Sequence, residues 1–238
     1  METETKAYQP RIVRRTELWV PHNEGEIAFA SPSHGPNFYQ NVGSQILNSN
    51  KKVPTGDHTA SLLHASYCSS VRGEPEFADV RKIMKYSWLW VYNRNLWTDK
   101  GVYIIQDKNA DGRNKPLNIS DLEKILKDGR ELSHGGIRFS QDGKVRFAPK
   151  GSYVLGEHTS ESLAKDGFII ASYEEEGATK FEEVSTVFRN KPYIYGLEIQ
   201  TGQSPALRVS AVCDGGGRLG FDGDDFGDDD GHAFGVWK

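Results

Sequence analysis

The sequence predicts one α+β domain: a largely antiparallel sheet built around a buried Trp/Tyr-rich hairpin, with short amphipathic helices packed mainly on one face. Three observations carry this. The first is the stretch Tyr86 to Asp107, whose strand alternation puts Tyr86, Trp88, Trp90 and Tyr92 on one face and Leu89 and Val91 on the other. Neither face of its centre suits water. Asp99-Lys100-Gly101 is a turn signal, so Val102 to Ile105 can return as a second buried strand. The second observation is a run of three amphipathic helical periods before this hairpin, the natural cover for one face of its sheet. The third is size and composition: 238 residues, 37% hydrophobic and 26% charged, with no internal repeat or low-complexity linker. Such a chain can bury an adequate core as a single domain.

Leu18-Trp19-Val20 and Ile27-Ala28-Phe29 read as two short strands of a hairpin. Gly35-Pro36 opens the first helix, with Pro36 at its first position and Phe38, Val42 and Ile46 as its stripe. The second helix runs from His58 to about Ser69, with Asp57 as its cap. The third starts near Pro75 and carries Phe77, Val80, Ile83 and Met84 on one side.

After the central hairpin a polar loop, Asp107 to Asn118, leads to a short helix from Asp121 to Leu126, where Ser120 and Glu123 have capping-box spacing. Ile137 to Phe147 reads as a second hairpin. A three-residue loop with Gly143 left-handed would pair Phe139 with Val145 and Ile137 with Phe147, and put Arg138 and Arg146 on the outer face. This register is preferred because the alternative sets Phe139 opposite Arg146. Thr159 or Ser160 caps a short helix through Lys165, and Phe168 to Ala171 reads as a buried strand. Glu174 to Glu176 form an acidic turn, and Phe181, Val184 and Phe188 stripe another helix. Tyr193 to Ile199 and Ala206 to Cys213 are expected to pair.

The net charge of −4 is unevenly placed. From Asp214 onward seven aspartates face only Arg218 and Lys238, a net of −5, which leaves residues 1–213 at +1. The expected organisation is a globular body over 1–213 and an acidic Gly/Asp-rich loop over 214–238, which docks back through a short strand at Ala233 to Trp237. Two cysteines, Cys68 and Cys213, make no disulfide framework and fit a reducing compartment. Met1 to Pro10 has no apolar core of a secretory signal, and no window approaches the ~18 apolar residues of a membrane span. A cytoplasmic protein with no membrane partner is expected.

Candidate sites are four. Asp107, Asn109 and Asp111, with Gly112, match the first half of a calcium loop, although the twelfth position is Asn118 rather than Glu. The alternative is an Asx-rich turn leading to a capped helix. Asp222, Asp224, Asp228 and Asp230, on a glycine-rich segment, could hold a calcium ion or stay solvated. Asp57, Ser61, His64 and Cys68 form one helical stripe, in which His64 could activate the Cys68 thiol or in which all four simply cap and pack. His58 lies on another face from His64, so no metal pair is expected on this helix, and the other histidines lack zinc spacing. Arg138, Lys144 and Arg146 could form a nucleic-acid face, with Arg11, Arg14 and Arg15 elsewhere, but a balanced body charge disfavours phosphate binding. No nucleophile, base and oxyanion donor come together, so a non-catalytic binding protein is favoured. A metal- or cysteine-dependent hydrolase-like enzyme stands as the alternative, and a nucleic-acid binder as the third reading.

Overall fold

A computed structural model of the chain describes residues 9–13, 16–133 and 135–238. Arg14, Arg15 and His134 lie outside the described residues. The chain opens with β1 (Arg11–Val13), β2 (Glu17–His22) and β3 (Gly25–Ala30), an antiparallel three-stranded sheet of its own. The expected first hairpin is therefore present.

Next come β4 (His34–Asn37), α1 (Tyr39–Asn48), α2 (Gly56–Cys68) and α3 (Pro75–Tyr86). Pro36 does not open the first helix, because His34–Asn37 pairs as a strand with Gly231–Ala233. The buried stripe of α1 is Tyr39, Val42 and Ile46, and Phe38 is exposed. The cap of α2 is Thr55 rather than Asp57: Thr55 Oγ1 accepts from the His58 amide (3.4 Å), and His58 Nδ1 accepts from the Thr55 amide (3.2 Å). This is the reciprocal box of a helix start with histidine in place of glutamate.

The central hairpin is β5 (Trp88–Thr98) and β6 (Gly101–Gln106), joined across Asp99-Lys100. Trp90, Tyr92 and Trp97 are wholly buried. Tyr86 departs from the expected aromatic face: it ends α3 and is 72% exposed.

The polar loop leads to α4 (Ile119–Lys127), which Asn118 caps by accepting from the amides of Ser120 (2.9 Å) and Asp121 (3.3 Å). The Ser120/Glu123 box does not form, since Glu123 binds Arg138 and Tyr103 instead. Three short strands follow, β7 (Arg130–Glu131), β8 (Arg138–Phe139) and β9 (Val145–Pro149). Their register sets Phe139 opposite Arg146 and Arg138 opposite Phe147, the pairing disfavoured from sequence. Each guanidinium lies over a ring, Arg138 at 4.7 Å from the Phe147 centroid and Arg146 at 5.6 Å from that of Phe139. Charge and ring are compatible neighbours here.

After β10 (Gly156–Glu157) and α5 (Ser160–Ala164), capped by Thr159, comes α6 (Gly167–Ser185). Phe168 to Ala171 is thus helical and not a strand. Asp166 starts it by accepting from the amides of Phe168 (2.9 Å) and Ile169 (3.3 Å), and a helix buried all round carries no periodicity to separate it from a buried strand. Within α6, Glu174 breaks the helix at φ 64, ψ 170.

The chain ends with β11 (Asn190–Tyr195), β12 (Ala206–Asp214), β13 (Arg218–Asp225) and β14 (Gly231–Ala233). The first two do not pair with each other. β13 lies between them, parallel to β11 and antiparallel to β12. The segment expected to be an acidic loop therefore contains a sheet strand, whose buried Leu219 and Phe221 alternate with Asp222 and Asp224 beyond. The return of the C terminus is as expected, with Val236 bridging Phe29 and Lys52.

Among the described residues the main sheet has eleven strands, ordered β10-β11-β13-β12-β5-β6-β9-β8-β7, with β14 beside β5 and β4 beyond it. Among the described residues only the β11/β13 and β14/β5 pairings are parallel. On one face Leu89, Val91, Trp97 and Ile104 pack with α2, α3, α5 and α6. On the other, Trp90 and Tyr92 lie under α1, and Leu96 and Tyr103 under α4. The three helices that precede the hairpin are therefore divided between the faces. Gly43 allows α1 its close seat, since a Cβ there would stand 2.8 Å from the Tyr92 ring and 2.2 Å from the Ala110 Cβ.

Candidate functional site

The break in α6 determines what surrounds the start of α2. Interrupting a helix frees backbone carbonyls that must find other donors. Arg146 supplies them: Nη1 donates to the carbonyls of Ala171 (3.0 Å) and Ser172 (3.4 Å), Nε to that of Gly143 (2.7 Å), and Nη2 to Glu174 Oε1. Asn93 Nδ2 adds a second donor to the Ser172 carbonyl (3.0 Å). Gly56 opens α2 directly against this carbonyl, where a Cβ would meet the oxygen at 1.9 Å.

Beside this plug the tip of the β2–β3 hairpin meets the first turn of α2. His22 Nε2 stands 3.3 Å from Asp57 Oδ2, and the His22 and His58 rings meet edge to face at 4.8 Å between centroids. Thr55 Oγ1 donates to Asp57 Oδ1. Ser61 Oγ donates to the Asp57 carbonyl (3.1 Å) and accepts from Lys180 Nζ (2.8 Å). With its single proton so placed, Ser61 must accept from His22 Nδ1 at 3.0 Å. Serine, histidine and aspartate are thus in file, but the serine proton points at a backbone carbonyl and Ser61 is 1% exposed. The arrangement cannot generate a serine nucleophile.

Burial lowers the pKa of His22, against the pull of Asp57, and brings that of His58 down to about 4. Both imidazoles are therefore neutral near pH 7. Burial works against ionisation of Asp57, but His58, the Thr55 hydroxyl and His22 outweigh it and hold its pKa low. Of the sequence-derived stripe, Asp57 and Ser61 belong to this cluster, and His64 and Cys68 do not. His64 turns to Glu183 (2.8 Å), and burial with the Glu183 charge raises the Cys68 pKa, the opposite of activation.

The calcium-like loop is folded by a guanidinium. Arg94, 4% exposed, donates to the carbonyls of Gly112 (2.6 Å) and Lys115, the oxygen type a calcium ion would take. Asp107 accepts from the amides of Asp111 (3.0 Å) and Gly112 (2.7 Å) and from Tyr39 Oη (3.1 Å). Asn109 is exposed, and Asp111 pairs with Lys115 at 3.8 Å. These contacts are those of an Asx-rich turn.

In the acidic segment, burial and the adjacent Asp224 carboxyl push Asp222 up to about 8, so it holds a proton at neutral pH. Asp224 and Asp222 sit on β13, whereas Asp228 and Asp230 are exposed beyond it. The nucleic-acid face does not assemble. Arg138 points to Glu123 at 2.8 Å, Lys144 is paired with Asp142, and Arg146 is 3% exposed behind the broken helix.

A cavity of about 510 Å³ lies elsewhere, between the Ser31-Pro32-Ser33 bend, α3 and β14. Ile83, Pro36 and Phe234 line it with apolar surface, and Asp79, Lys82 and His232 offer charge and hydrogen bonds. Tyr86, the aromatic misplaced by the sequence reading, stands exposed at its edge. A second groove, about 360 Å³, runs between α1 and Phe226, whose ring lies under Arg113 (4.6 Å) and Arg208 (4.0 Å).

No family model and no curated protein matches the chain. Among solved structures it is similar to a protein from work on the accommodation of massive sequence variation in Nanoarchaeota by the C-type lectin fold. The identity is 14% and the TM-score 0.57, over 86% of this chain and 96% of that one. The chain has a C-type lectin-like fold. Among the described residues no helix is long and apolar enough to cross a membrane.

Proposed function

We propose that this C-type lectin-like chain is a non-catalytic binding protein whose ligand site is the cavity beside Tyr86. The observation that carries it is a cavity of about 510 Å³ lined by both apolar and polar side chains, the common form of a small-ligand site. Tyr86 offers a ring face at the edge while Asp79, Lys82 and His232 offer hydrogen bonds, a combination that suits a ligand with one apolar face and several hydroxyl or amine groups. The serine, histidine and aspartate in file are blocked by geometry, which supports binding over catalysis. A weak calcium site is proposed at Asp228 and Asp230, the exposed members of the acidic candidate set. The unpaired cysteines support residence in a reducing compartment.

The test is a fragment screen by protein-observed NMR, with fragments that combine an aromatic or aliphatic ring and hydroxyl or amine groups. Hits should shift Tyr86, Lys82 and His232, and Tyr86→Ala should weaken them about tenfold, the loss of one stacked ring. Hits that gather at Phe226, or none that respond to Tyr86→Ala, refute this placement.

A further inference from the structure

We propose that His22, Asp57 and His58 form a binding site for a zinc-class divalent cation that clips the β2–β3 hairpin to the first turn of α2. Their ligand atoms lie within 4.8 Å of one another, and all three residues are partly exposed, so an ion can reach them. Zinc bonds of about 2.0–2.1 Å in tetrahedral geometry place two ligand atoms about 3.3 Å apart. The His22 Nε2 to Asp57 Oδ2 separation of 3.3 Å already has that value. His58, whose ligand atom lies within 4.8 Å of the other two, must close by up to about 1.5 Å to reach that same spacing.

The surroundings are those of oriented ligands. Lys180 and the Asp57 carbonyl fix the hydroxyl of Ser61, which fixes the Nδ1 proton of His22 and so leaves the Nε2 lone pair facing the carboxylate. A lone pair and a carboxylate oxygen face each other at 3.3 Å, an opposition that a cation between them removes. Asn23 Nδ2 now donates to this Nε2 (3.1 Å) from an exposed turn and must swing aside. Thr55 holds the other oxygen of Asp57 and leaves Oδ2 free. Two opposing contributions are visible. Lys52 and Lys180 add positive charge, balanced in part by Glu176. His58 Nδ1 accepts the Thr55 amide, so coordination through Nε2 requires the other tautomer and gives up that cap bond. Two nitrogens and one carboxylate oxygen select zinc or its neighbours over calcium, which takes oxygen ligands.

This site shares no residue with the cavity at Tyr86, and either can fail without the other. The experiment uses the full chain, free of any histidine tag and stripped with chelator, titrated with Zn2+ by calorimetry and followed by thermal melting. One equivalent should bind, and zinc at a hundredfold its Kd should raise Tm by about 5–10 °C. His22→Ala and Asp57→Asn should weaken binding at least a hundredfold and His58→Ala about tenfold, while Cys68→Ser leaves it unchanged. Co2+ should give a visible spectrum without a thiolate charge-transfer band. No binding by the wild type, equal binding by His22→Ala and Asp57→Asn, or loss in Cys68→Ser would overturn the proposal. Should those variants not fold, the wild-type imidazole resonances decide: zinc must shift those of His22 and His58, and unmoved signals overturn it.

Discussion

Replacing Arg146 by alanine should destabilise the protein by about 3–5 kcal/mol, the usual loss when one partner of a buried, hydrogen-bonded charge is removed. The magnitude follows from what the guanidinium holds. The Ala171 carbonyl loses a charged donor, the Ser172 carbonyl keeps its bond from Asn93, and Glu174 loses its cation. An orphaned buried acceptor costs about 1–3 kcal/mol, and charged donors lie toward the upper end. Glu174 contributes less, since it is 39% exposed and can return to water. For a domain of this length the sum corresponds to a fall in Tm of about 6–20 °C. Urea denaturation measures it, with a lowered midpoint at unchanged slope. Arg138→Ala is the internal control. Its pair with Glu123 is partly exposed on both sides, so its loss should cost at most about 1 kcal/mol even though Arg138 holds the Glu123 pKa down to about 2. If the two alanine variants lose the same stability, the guanidinium at the helix break is not the support described here.

Gly43→Ala should cost about 1–3 kcal/mol despite the better helix propensity of alanine, because the new methyl meets Ala110 and Tyr92 inside a filled layer; equal or greater stability in urea would mean that α1 sits farther from the sheet. Asp222→Asn should change the pH dependence of stability in a set direction. The folded-state pKa of Asp222 is raised, so its stabilising protonation is complete below its ordinary value near 3.8 and is lost as pH rises through about 8. The variant should gain on the wild type between pH 5 and 8, read from urea midpoints, and a constant difference across that range would show Asp222 to be ionised throughout.

The central hairpin was legible because Trp90, Val91 and Tyr92 leave no face for water. Helices with an exposed side, such as α3, were legible for the same reason in reverse. Failure came where burial removed the contrast that periodicity needs. Phe168 to Ala171 reads the same as helix or strand, and only the amides bound by Asp166 decide it. The register of the second hairpin is hidden from the sequence because arginine is ordinarily a surface residue, whereas Arg146 is buried. That register is set by distant backbone acceptors at Ala171 and Ser172, on a helix broken by a residue with no glycine to announce it.

The candidate sites divide along the same line. A calcium loop and a guanidinium-held loop have the same local sequence around Asp107, and the guanidinium comes from Arg94, thirteen positions earlier on β5. The histidine–carboxylate cluster shows locally only as Asp57-His58 at a helix start. His22 joins from the hairpin tip, and Ser61 and Lys180 orient it from the interiors of α2 and α6. Spacing rules detect ligands only when one segment supplies most of them. Here three segments meet because Gly56 lets α2 press on the break in α6, so the scaffold assembles the cluster and one stretch of chain does not.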